Sequence, residues 1–334
     1  MQKTIKNKIE ISGKGLHTGV KTNIKILPAK EDTGIKFQRI DLNNKPYIQA
    51  SILNIHETNR RTVLKENGAV IETVEHLLAA IYASSIDNLI IEIDGPEIPI
   101  LDGSSKLFIK KIEESGITNQ KKKKPKFKIQ NYFKVISSRD KAQIEFFPQK
   151  NLEIEVTTDY NSSVIKKQKA KLNQLSDFKK EIAPARTFCF LHELDELMNH
   201  NLIKGGDLDN GIVFIEKDTS IKSLGELKKL LPKKTKNLKK GTLKDVPPIF
   251  KNEQAKHKLL DLLGDISLAG FEIKGRIIAH KPGHKINALF TKELLRQLNK
   301  KDNIMEEKAL MNINDIKKIL PHREPFLFIA KITS

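Results

Sequence analysis

His257, Asp261 and Asp265 stand four residues apart in the run NEQAKHKLLDLLGD (252–265), a spacing that could do chemistry. On a helix, positions four apart are rotated by only about 40°, so the three form one slowly winding polar stripe. Leu259, Leu260, Leu262, Leu263 and Ile266 occupy the remaining surface. An imidazole and a carboxylate one turn apart can share a metal ion, or they can be a buried histidine satisfied by a neighbouring acid. A second apolar run, TVEHLLAA (73–80), offers the adjacent pair Glu75 and His76. Two histidines and one carboxylate fill three zinc positions and leave the fourth for water, as catalytic zinc requires. Glu75, beside a ligand, is then placed to act as general base. His284 follows a strand-like stretch in PGH (282–284), which reads as a loop, and loops carry a large share of catalytic groups. The single cysteine, Cys189, excludes both an intramolecular disulfide and a thiolate zinc cluster, so any metal falls to histidines and carboxylates.

These residues need elements to hold them. The first stretches, IKNKIEISGKGLHTG and VKTNIKILPA, alternate apolar and polar residues and meet at a glycine-rich turn, which predicts strands. A helix follows at ETVEHLLAAIYASS, with Thr73 or its predecessor as cap, then a strand in NLIIEIDGPEIPILDGSS and a helix in KLFIKKIEESG ended by Gly116. KKKKP near 121–125 reads as a linker, after which the order recurs. Strands are expected in FKIQNYFKVIS, AQIEFFPQ and NLEIEVTTDY, and a helical stretch near FCFLHELDELMNHN. A strand at GIVFIEK, the 252–265 helix, a strand at GRIIAHKPGH and a helix at TKELLRQLNK complete the second unit. The organisation is α+β: residues 1–125, residues 126–300 with a Lys-rich insertion at about 217–250, and a charged connector and tail over 301–334.

Composition limits the partners. With 334 residues the chain can bury about two cores. No stretch reaches the apolar length of a membrane span, and the basic N-terminus has no apolar segment behind it, so a soluble, cytoplasmic protein is expected. A formal charge of +19 invites a nucleic-acid reading, but the excess is mostly lysine in runs such as KKLLPKKTKNLKK, and only 6% of residues are aromatic. No nucleic-acid partner is expected; an anionic substrate or an anionic membrane face fits better.

Seven stretches in order resemble the bacterial UDP-3-O-acyl-N-acetylglucosamine deacetylase family, the zinc amidases of lipid A synthesis. They are GKGLHTG (13–19), TVEHLLAA (73–80), IDNLIIEIDGPEIPILDGSS (86–105), ARTFCF (185–190), GGDLDNGIVF (205–214), HKLLDLLGD (257–265) and GH (283–284). The resemblance covers residues 1 to about 300 and implies two tandem α/β sandwich domains with the active site between them. It implies zinc, with Fe2+ as the alternative, held by His76, His257 and Asp261. Glu75 becomes the general base and His284 a cationic acid, with Asp265 orienting that histidine and supporting its charge. Thr187 is implied to help hold the oxyanion, Lys258 to contact the substrate's anionic part and Phe188 to wall the site. Asp159 and Tyr160 align with an Asp–aromatic pair used for the uracil end, although the family has Phe where Tyr160 stands. The implied reaction is hydrolysis of the N-acetyl group of a UDP-linked, 3-O-acylated glucosamine. Residues 190–216 are implied to line the acyl channel, with Phe190, Leu194, Leu197 and Ile203 as candidates.

The tail, INDIKKILPHREPFLFIAKI (313–332), resembles the start of the (3R)-hydroxyacyl carrier-protein dehydratases, whose LPHR-x-PF motif places a catalytic histidine at His322. The expectation is a truncated N-terminus of a hot-dog domain, as in fusions of the two enzymes, without dehydratase activity. A degenerate binding protein that keeps the fold is the competing reading. The presence of Glu75, His76, His257, Asp261, Asp265 and His284 together argues against it.

Overall fold

Period-two alternation builds the strands of the computed structural model, which describes residues 1–138, 141–200, 202–217, 219–220, 237–243, 248–298, 309–311 and 332–333. Lys21–Pro28 buries Thr22, Ile24 and Ile26 while Lys21 and Asn23 face solvent. Gly275–His280 likewise buries Gly275, Ile277 and Ala279. Such strands cover a core with one face only. Among the described residues the helices are α1 (Glu75–Ala83), α2 (Lys106–Ser115), α3 (Phe178–Glu181), α4 (Leu194–Asn199), α5 (Glu253–Ser267) and α6 (His284–Leu298). Among the described residues no helix is long and apolar enough to cross a membrane.

Two five-stranded sheets have the same connectivity. The first runs Ile9–Lys14, Lys21–Pro28, Leu89–Ile93, Ile35–Arg39, Tyr47–Gln49. The second runs Phe133–Ser137, Ala142–Phe147, Gly275–His280, Leu152–Thr158, Gln168–Leu172. In each, the fifth strand in sequence enters the centre, antiparallel to the second and parallel to the third. A parallel partner demands a crossover, and the helix before the fifth strand supplies it: α1 in the first half, α5 in the second. Helices α2 and α6 follow the fifth strands. Each half also carries a small three-stranded insert between its fourth strand and its crossover helix. These are Ile55–Glu57, Val63–Glu66 and Ala69–Glu72 in one, and Phe188–Phe190, Ile212–Ile215 and Gly241–Thr242 in the other. Residues 120–132 between the halves contain no helix or strand.

The halves are joined through α1 and α5, the most extensive helix contact of the fold. Gly264 permits it, because a Cβ there would lie 2.2 Å from the backbone oxygen of Glu75. One hydrophobic cluster runs through both halves and includes Leu77 and Leu78 of α1 with Leu260 and Leu263 of α5. Leu259, Leu260, Leu262 and Leu263 are wholly buried, each stabilising the fold by about 1.5–3 kcal/mol relative to exposure.

Several local expectations change. The N-cap of α1 is Val74, not Thr73. Thr73 has φ 58° and its hydroxyl donates to Glu97 Oε1 at 2.7 Å, so a buried carboxylate outcompetes the helix end for it. Residues 188–199 are a strand, a 3-10 turn over Leu191–Glu193 and then α4, rather than one helical stretch. Phe188–Phe190 pairs in parallel with Ile212–Ile215, a pairing that local periodicity cannot reveal. Helix α6 begins at His284, so that histidine sits on the first turn of a helix instead of a loop. His322 and the dehydratase-like segment lie outside the described residues, as does most of the 217–250 insertion.

Candidate active site

Helix α5 is buried along nearly its whole length, and its polar side chains are met individually. Glu253, fully buried, accepts from Arg186 Nε at 2.8 Å and from the backbone N–H of Ile249 at 2.8 Å. Lys256 donates to Glu181 at 2.8 Å and lies over the Phe250 ring. Such pairing offsets the desolvation that burial costs.

The next turns face α1 and behave differently. One ligand atom each from His76, His257 and Asp261 lies within 4.8 Å of the others. His257 Nε2 and His76 Nε2 stand 3.4 Å and 3.5 Å from Asp261 Oδ1, which is buried and has no hydrogen-bond partner. A tetrahedral centre with bonds of about 2.0–2.1 Å spaces its ligand atoms by roughly 3.3–3.4 Å, so the donor set fits a divalent ion. Two of the other faces are tied back: His257 Nδ1 is 3.1 Å from the carbonyl of Ala185, and Lys258 Nζ donates to Asp261 Oδ2 at 2.8 Å, whereas His76 Nδ1 is buried without a partner. Ser105 Oγ donates to the carbonyl of His76 at 2.8 Å and anchors α1. Such outer contacts orient metal ligands.

Protonation suits the same role. Burial drives His257 down to about 3, so its ring is neutral at pH 7. Burial pushes Asp261 up, but His257 and Lys258 outweigh it and hold the carboxyl well below its usual range. A neutral imidazole and a carboxylate are the forms that bind a cation.

Beside this cluster, Glu75 is 3% exposed and raised by burial, against the pull of His284 and His76. His284 Nε2 lies 3.9 Å from Glu75 Oε1 and 4.0 Å from Asp261 Oδ2. Its Nδ1 is 2.9 Å from Asp265 Oδ2. Burial pushes His284 down, yet the charge and hydrogen bond of Asp265 prevail and lift it to about 9, so it is a cation at neutral pH. One base and one acid therefore flank the candidate metal position.

The cluster floors a cavity of about 330 Å³ lined by residues of both halves. Thr187 and Phe188 from the second insert line it, as do Thr58 and Arg60 from the first, and Lys258, Lys281 and Lys285 add positive charge. Thr187 is held by its backbone N–H to Gly103 at 2.8 Å; a Cβ at Gly103 would lie 2.3 Å from the Asn210 oxygen. Asp159 and Tyr160 are not among the lining residues. Asp159 is 3.8 Å from Lys281 Nζ, and the Tyr160 ring packs edge-on to Phe188 at 5.5 Å, one residue back from the wall. Leu194 and Leu197 pack with Leu191, Leu202 and Ile215 in a small core of the second insert, with Ile203 partly buried against it. Phe190 is buried, within ring contact of Tyr160.

Several residues at the site carried no role in the sequence. His17 lines the cavity, buried, with Nδ1 lacking a partner. Its loop is fixed by Glu97, which accepts from the N–H groups of His17 and Thr18 at 2.9 and 2.7 Å. GKGLHTG contained the signal, since a histidine in a glycine-rich turn stood unassigned. Asn287 donates to Asp265 Oδ2 at 2.8 Å, and its position one turn after His284 was visible once a helix was assigned there. Thr62 donates to Asp265 Oδ1 at 2.6 Å across 203 residues of sequence, and nothing local announced it.

A mixed α/β chain whose cleft is floored by two imidazoles and a carboxylate, with a further acid and base in reach, has the constitution of a metal-assisted hydrolase. The family model described as UDP-3-O-acyl N-acetylglycosamine deacetylase (LpxC) matches residues 2–227 and 236–296. The chain belongs to that family. It is 39% identical over 337 residues to a bifunctional enzyme LpxC/FabZ of Porphyromonas gingivalis, covering 99% of this chain and 73% of the relative. It is 37% identical to a UDP-3-O-acyl-N-acetylglucosamine deacetylase of Helicobacter hepaticus, over 88% of this chain and 90% of the relative. For the deacetylase of Chlamydia pneumoniae the figures are 36%, 89% and 98%.

Proposed function

We propose that the chain hydrolyses the N-acetyl group of UDP-3-O-(3-hydroxyacyl)-N-acetylglucosamine to the free amine and acetate, the committed step of lipid A biosynthesis. The observation that carries this reading is the convergence of His76, His257 and an unpartnered Asp261 oxygen at the cavity floor. Zinc is the proposed ion, with Fe2+ as the alternative. Bound there, it supplies Lewis acidity that polarises an amide carbonyl and acidifies water. Glu75, kept basic by burial, takes the proton from the attacking water. Thr187, on the cavity wall, donates to the oxygen on which negative charge develops. His284, protonated and held by Asp265, delivers a proton to the departing glucosamine nitrogen.

The substrate roles follow position. Lys258, Lys281 and Lys285 give the cavity a positive rim for an anionic diphosphate, with Lys258 also paired to Asp261. Phe188 walls the site and Tyr160 behind it extends an aromatic face toward the nucleobase. Asp159 is assigned to the same end. The two α/β units divide near residue 125, with the reaction at their seam. The reading places the protein in the cytoplasm with transient access to the inner-membrane surface.

The test is direct: purified protein is incubated with the UDP-linked substrate, acetate release is followed, and metal is measured in the same preparation. One divalent ion per chain and chelator-sensitive release are expected. Activity that survives chelation, or protein that never retains zinc or iron, overturns the reading.

A further inference from the structure

Asp265 can orient His284 only if its own carboxylate is prevented from turning. Its Oδ2 accepts from His284 Nδ1 at 2.9 Å and from Asn287 Nδ2 at 2.8 Å, both on α6. Its Oδ1 accepts from the hydroxyl of Thr62 at 2.6 Å, a residue of the other half. Thr62 is wholly buried. Its backbone N–H reaches Glu75 Oε2 at 3.2 Å, and its carbonyl accepts from the N–H of Val74, the N-cap of α1, at 3.5 Å. Its Oγ1 is also 3.3 Å from His284 Nδ1, but the nitrogen's shorter contact is to Asp265, so the hydroxyl proton points at the carboxylate.

We propose that Thr62 is a positioning residue of this site, its hydroxyl locking Asp265 so that His284 is aimed at the reacting nitrogen while its backbone N–H aims Glu75. One residue thereby sets the acid and the base in a common frame, although they belong to different halves of the chain. The hydroxyl is required because Oδ1 has no other side-chain donor among the contacts of the described residues. A methyl in its place leaves a buried carboxylate oxygen bare and the carboxylate held through Oδ2 alone, and support of this kind is worth about 10- to 100-fold in activity.

The proposal rests on the deacetylase reading for its kinetic consequence, and its test separates the two. Thr62→Val keeps shape and the backbone N–H and removes only the hydroxyl; Thr62→Ser restores the donor. Expected for Thr62→Val is a fall in kcat of about 10- to 100-fold with KM and bound metal unchanged, and Thr62→Ser recovers most of the loss. In parallel, the proton shared by His284 and Asp265 is read by NMR as a resonance far downfield of ordinary amides, assigned by its loss in His284→Ala. It is expected to move or broaden in Thr62→Val and to return in Thr62→Ser. Wild-type kcat together with an unmoved resonance in Thr62→Val overturns the proposal. So does a kcat loss that serine does not repair. If the wild-type protein shows no deacetylation, the function reading fails while the resonance alone still decides the role of Thr62.

Discussion

The first and second halves of the chain thread five strands in the same order and insert a small sheet at the same station, yet they give the site unlike things. Helix α1, of nine residues, presents an adjacent pair, the proposed base Glu75 and the candidate ligand His76. Its topological counterpart α5, of 15 residues, presents two candidate ligands and the acid that contacts His284 at steps of four, and α6 adds His284 itself. The repeated scaffold fixes where a crossover helix must lie; the side chains it carries there are free to diverge. Among the described residues the candidate donor set forms where α1 meets α5, one member from the first half and two from the second.

That asymmetry can be broken at several depths. Removing a ligand from the longer helix has the largest expected effect: His257→Ala loses bound metal and activity together, by metal analysis and acetate release. The matching change in the shorter helix separates the two properties. Glu75→Ala is expected to keep the metal and lose about 10²- to 10⁴-fold in kcat, the range of a general base. If Glu75→Ala lost its metal as well, the division between base and ligand on α1 would be wrong.

Asp265→Asn sharpens the roles of α5 and α6. With Asp265 present, His284 is held at about 9, above its unfolded value, so activity that needs the cation is kept below that pH and lost as pH rises through it. Stability that the metal-free protein draws from this pair follows the same sign, fully present below about 6.5 and lost as pH passes about 9. Without the carboxylate, burial dominates and the alkaline limb of kcat moves to lower pH, with kcat falling about 10- to 100-fold at its optimum. The smallest effect is expected at the seam itself. Gly264→Ala forces α1 and α5 apart and costs about 1–3 kcal/mol, read as a lowered denaturation midpoint.

The parts of this design visible in sequence were those with a local period. Alternation in KTNIKILP marked a strand, and the four-residue steps of His257, Asp261 and Asp265 marked a polar stripe on a leucine helix. Roles within the stripe came from resemblance, because spacing alone does not say that Asp261 turns to His76 while Asp265 turns to His284. What stayed hidden depends on contacts between distant segments. The shared topology of the halves lies in strand order, which leaves no residue pattern to match. Thr73 looked like a cap because Glu97, its actual partner, is far along the chain. Lys258 pairs with Asp261 within a turn, a contact legible at three-residue spacing but eclipsed by its assigned substrate role.

The placement of the two inserts bears on how such a protein can change. Each leaves the scaffold after the fourth strand and returns at the crossover helix, and Arg60 of the first, which lines the cavity, reaches Glu193 of the second at 2.6 Å. Lengthening a surface connection costs only about 0.6 kcal/mol per doubling in closure entropy. The cavity mouth can therefore be rewritten by insertion and deletion while the helices bearing His76, His257 and Asp261 remain where the sheets put them.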